Sequence, residues 1–227
     1  MWRKLWNSSG WKVLCCNVIT ALALNLFLEW MERKSIKEVL AFINERTYVF
    51  LFNAAILFMF LSIVLLVRKK IFVYTVITAC WILIGLTNGI VLNGRKTPFT
   101  AVDLTVAKSI LPVLNSYLEL WQIVMLVILM VAAVIFLVCL CLYSPSSGES
   151  FNRRVNVLLE LVLLVAFGIF AYVGVGKGQL ISKFDNPING YKDYGVAYGF
   201  CVTALDTGID RPINYSRDRV NKLKNKM

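Results

Sequence analysis

The chain has 227 residues, 59% of them hydrophobic and 16% charged, which is more apolar than the ~45–50% of an ordinary soluble domain. It contains no histidine, and so lacks the commonest general base and metal ligand. The formal charge of +11 flanks apolar runs, which points to membrane orientation and anionic lipid and away from nucleic acid.

In chain order, the first apolar run covers 13–28. Arg3, Lys4 and Lys12 precede it, and "EWMERK" closes it with no small-residue cleavage pattern. It reads as an uncleaved signal anchor. "SIKEVLAFINER" follows. Ser35 and Glu38 have capping-box spacing, and Ile36, Val39, Leu40 and Ile43 share one face. A short amphipathic helix on the outer surface is expected. Further runs cover 48–67, 71–91, 117–143 and 156–175. Each of these later runs is long enough to cross ~30 Å of hydrocarbon as a helix. The fold class expected is an all-α membrane protein with five transmembrane helices and short outer amphipathic helices. Arg68–Lys70, Arg153 and Arg154 join the N-terminal cations on one side if the N-terminus is inside and the C-terminus outside. Residues 1–175 then form the membrane domain, and 176–227 an outer segment. That segment holds an apolar helix candidate at about 196–205 and a basic end that Ser216 could cap.

Among the polar residues inside the runs, Asn17, Asn25, Asn53, Asn88 and Glu160 stand out. Asparagines in such places bond across helices, each worth about 1 kcal/mol or less. No chain of ionisable groups crosses the membrane, which argues against a small transporter. The six cysteines form no CxxC pair, so neither a metal site nor a disulfide framework is expected.

The gap "NGRKTPFTAVDL", residues 93–104, is the candidate site. Thr100 and Asp103 have the spacing of a helix start, and Pro98 stiffens the approach to it. Arg95 and Lys96 would lie at the headgroup layer. An arginine there can grip phosphate oxygens with two parallel hydrogen bonds. It can equally pair with Asp103 and only lock the loop.

"RKTPFTAVDL", with "YGF" at 198–200 and "RPINYS" at 211–216, resembles the membrane half of the lipoteichoic acid synthase family. These are phosphoglycerol transferases with an extracellular domain of the sulfatase/alkaline-phosphatase type. The resemblance implies a membrane-anchoring and lipid-presenting module acting in cell-envelope polymer synthesis at the cell membrane. Its partners would be an anionic phospholipid such as phosphatidylglycerol and a catalytic domain in cis or in trans. The family's divalent metal, manganese, belongs to that catalytic domain, toward which 176–227 would lead. The family's catalytic nucleophile and metal ligands have no counterpart in this sequence, so no catalytic or metal-binding residue carries over. The alternative is a truncated, non-catalytic paralogue acting as a membrane interaction protein.

Overall fold

The computed structural model describes residues 10–104, 120–144 and 153–205, except 182 and 185. The described residues are helical, with no strand among them. α1 spans Gly10–Arg33, α2 Ile36–Glu45 and α3 Thr47–Ser62, the last continued by a 3-10 turn at Ile63–Leu66. α4 spans Lys70–Arg95, α5 Leu120–Tyr143 and α6 Arg153–Gly176. Two shorter helices follow, α7 at Pro187–Tyr194 and α8 at Val196–Leu205.

The helices lie where the apolar runs are. Among the described residues, four stretches are long and apolar enough to cross a membrane: Val13–Arg33, Thr47–Leu66, Lys70–Gly94 and Arg154–Gly176. α5 has 24 residues, or about 36 Å of helix. Positions 117–119 of the fourth expected run lie outside the described residues. So do the basic end, Ser216 and the "RPINYS" stretch.

Sparse polar contacts set the directions of packing. Asn17 Nδ2 donates to the Leu61 carbonyl at 3.2 Å, and Asn25 Nδ2 to that of Phe50 at 3.0 Å. α1 and α3 are therefore antiparallel. Thr20 bonds Tyr74 near the start of α4, and Lys34 bonds Asn93 near its end, so α1 and α4 run parallel. α6 runs against α3. Glu160 accepts from Ser62 Oγ at 2.7 Å, and Tyr48 donates to the Phe170 carbonyl further along. Lys69 at the start of α4 donates to the Cys141 carbonyl near the end of α5 at 2.6 Å. These bonds sit in an apolar core that includes Leu24, Leu28, Phe52, Leu57, Leu61 and Trp81. Glu160, Asn17, Asn25, Asn53 and Asn88 thus bond across helices, as hydrocarbon demands of buried polar groups.

Two local expectations are corrected. The first helix does not stop at Leu28 but continues to Arg33, because Glu29 and Arg33 pair one turn apart at 3.1 Å. That pair satisfies the charges that would otherwise end the buried stretch. Ser35 does precede α2, but its side chain makes no capping hydrogen bond. α2 is held by burial of Val39 and Phe42, and Arg33 lies 4.0 Å over the Phe42 ring.

Candidate functional site

α1 and α4 finish at the same end of the bundle, where α3 begins. The segment after α6 folds back onto this end. α7 starts with a local signal: Asn186 accepts the Ile188 N–H at 2.9 Å, and Pro187 takes the first helical position. α8 is apolar and packs against α3. Between them stands Gly195, with φ +81 and ψ 168. Essentially only glycine occupies that region of backbone space.

Membrane-helix side chains close both sides of this hinge. The helical N-terminus of α8 exposes amides that have no partner within the helix. Glu29 Oε1 accepts one of them, Val196 N–H, at 3.0 Å. Asn53 Oδ1 accepts another, Tyr198 N–H, at 2.7 Å. The carbonyls ending α7 are met by donors. Asn53 Nδ2 reaches the Tyr194 oxygen at 2.7 Å, and Arg33 Nη2 reaches that of Lys192 at 2.7 Å. Glu29 and Asn53 are fully buried. A β-carbon on Gly195 would lie 2.6 Å from Glu29 Oε1 and 2.7 Å from Asn53 Nδ2. Three side chains from α1 and α3 therefore hold one backbone bend of the segment after α6. A carboxylate buried beside a partly buried guanidinium is tolerable when further hydrogen bonds support the pair, and the bend supplies one to each group.

The predicted loop joins the same node. Pro98 is buried. Asn88 links inward to Glu32 Oε2 at 2.5 Å and accepts the Phe99 N–H at 2.7 Å. Asp103 Oδ2 accepts the Thr100 N–H at 2.8 Å and the Thr100 hydroxyl at 3.0 Å, with residues 101–104 in a helical turn. Tyr191, fully buried, donates to the Phe99 carbonyl at 2.9 Å. Burial pushes its phenol above the ordinary range, so it remains a donor. Phe200 stacks on Phe99 and meets Trp81 edge-on. Loop and α8 thus form one unit descending between α3 and α4. Of the two cations expected at the headgroup layer, Arg95 ends α4, and its side chain lies outside the described residues. Lys96 follows it, exposed, with φ 58.

Beside α8 an apolar pocket of about 390 Å³ opens between α3 and α6, lined by Phe52, Ile56, Met59, Phe167, Tyr198 and Cys201 among others. Burial raises the Cys201 thiol to about 11. Among the described residues no His, Cys, Asp or Glu group is placed to hold a metal ion.

Sequence reasoning missed Glu29, Arg33 and Gly195. The i, i+4 spacing of Glu29 and Arg33 carried a signal for a pair; nothing local marked Gly195 as a hinge. The fold and site define a helical protein with several membrane-length apolar helices. No family model, curated protein or solved structure matches the chain.

Proposed function

We propose that this chain is the membrane-anchoring and lipid-presenting module of a lipoteichoic acid synthase-like phosphoglycerol transferase. In this reading α1, α3, α4, α5 and α6 cross the cell membrane five times, with the N-terminus inside. The node faces outward, and an anionic phospholipid such as phosphatidylglycerol meets Arg95 and Lys96 at that face. Catalysis and its divalent metal belong to an extracellular domain acting in cis or in trans.

The observation that carries the reading is the capped hinge at Gly195. A passive tether would need no buried Glu29 and Asn53, with a partly buried Arg33 beside them, to clasp it. A clasped segment instead holds whatever it connects to at a fixed height and angle over the lipid surface. Fixed placement is how a membrane module raises the rate of a reaction on headgroups. The "RKTPFTAVDL" loop, bonded into the same unit through Asn88 and Tyr191, supports the assignment of the adjacent cations to lipid.

The test is reconstitution with a sulfatase-type phosphoglycerol transferase domain in phosphatidylglycerol vesicles. Turnover of lipid headgroups should rise when this chain is present and fall with Arg95→Ala, while Arg95→Lys, a point charge in place of a fork, falls between. Turnover indifferent to the chain and to Arg95 would refute the reading.

A further inference from the structure

A second groove lies at the node end, between the parallel helices α1 and α4. Its volume is about 300 Å³, and Trp30, Leu86 and Ile90 line its apolar part. Gly89 gives it depth, because Met31 lies 3.0 Å from where a β-carbon would stand. At the helix ends the lining changes to Lys34 and Asn93. From Leu86 to Asn93 is about 10 Å of helix. The groove is therefore apolar along its length and cationic at one mouth.

We propose that this groove seats one anionic phospholipid, with an acyl chain along Leu86 and Ile90 and its phosphate on Lys34 and Asn93. Three observations support that occupant. Lys34 bonds the carboxamide oxygen of Asn93, a neutral partner, so an ammonium stands at the mouth, with the Glu32 carboxyl near enough to feel its charge. Trp30 is 48% exposed at the same level, where an indole suits the boundary between headgroups and chains. The wall beyond is exposed hydrocarbon, with Ile90 at 70%, which a soluble anion would leave uncovered. Lys34 sits in left-handed backbone at φ 56, a conformation a lysine adopts at some cost. Its ammonium also balances the negative end of α1; phosphate adds a second reason for a cation at that point. The inference rests on the lipid-presenting reading and adds to it a seat and a residue, Lys34, that the sequence did not single out.

The experiment measures retention of phosphatidylglycerol and phosphatidylcholine by the purified full chain in detergent, using native mass spectrometry. Lys34→Asn removes the charge with a residue that tolerates left-handed backbone. It should lower the preference for phosphatidylglycerol about fivefold and leave phosphatidylcholine retention unchanged. Lys34→Arg should keep the preference. Ile90→Trp, which fills the groove, should lower retention of both lipids. Helicity by circular dichroism checks each variant. Unchanged preference in folded Lys34→Asn overturns the proposal. If Arg95→Ala then loses the preference, the lipid-presenting reading stands without this groove; if neither variant loses it, both fail. Displacement of the lipid by soluble glycerol phosphate would assign the mouth to a free anion and also overturn the proposal.

Discussion

Replacing Gly195 by alanine tests the clasp with one methyl group. The backbone at φ +81 and ψ 168 costs a non-glycine residue about 1–3 kcal/mol. The new carbon would also stand 2.6 Å from Glu29 Oε1 and 2.7 Å from Asn53 Nδ2. Both groups are fully buried and each bonds the hinge, so neither can retreat without losing a hydrogen bond. Losing one bond to a charged group costs about 1.5–3 kcal/mol. Together these give about 2.5–6 kcal/mol against the docked state. The assay is amide hydrogen exchange in lipid nanodiscs, read at Val196 and Tyr198, whose N–H groups end on Glu29 and Asn53. Protection there should fall at least about 100-fold, while amides in the middle of α3, around Leu57, keep theirs. Protection within about threefold of wild type at both amides would refute the reasoning.

Glu29→Ala leaves Arg33 partly buried beside an empty acceptor site. It should destabilise the protein by about 3–5 kcal/mol in detergent unfolding, and the Glu29→Ala, Arg33→Ala double variant should lose less than the sum of the two. Trp81→Ala removes a ring that packs on Phe60 and Phe200 and should cost about 3–5 kcal/mol, seen as a lower midpoint in the same assay. Cys201, its thiol raised to about 11 by burial, should alkylate about 100-fold more slowly at pH 8 than an ordinary thiol near 9, since only the thiolate reacts. Burial favours the neutral thiol, so the docked state weakens as pH climbs from about 9 toward about 11. Gly195→Ala should speed the labelling.

The long helices were legible because hydrocarbon leaves a buried backbone one solution, and length with apolarity identifies it. Asn17, Asn25, Asn53 and Asn88 were legible as cross-helix donors for the same reason: a carboxamide there must find a partner. Val196–Leu205 was readable from its apolar run. α7 was not read, although Asn186 and Pro187 carry its start signal; its helix is short and its composition polar. The clasp could not be read at all. Glu29 and Val196 are remote in sequence, and a charged pair after an apolar run looks like the end of a span until something buries it. At the loop, the spacing of Thr100 and Asp103 pointed to their contact, whereas the link from Asn88 to Phe99 depends on how far the chain doubles back.

In the proposed topology the node lies on the outer face of the membrane, and the two ends of α6 test that most directly. With the native cysteines replaced, a single cysteine is introduced at Lys177, exposed beyond the node end, or at Arg154, exposed at the opposite end. Intact cells are then treated with a membrane-impermeant maleimide. Lys177→Cys should label at once, and Arg154→Cys only after the membrane is opened. Labelling of Arg154→Cys in intact cells with Lys177→Cys protected would turn the protein over and remove the lipid-presenting face from the side where the proposal needs it.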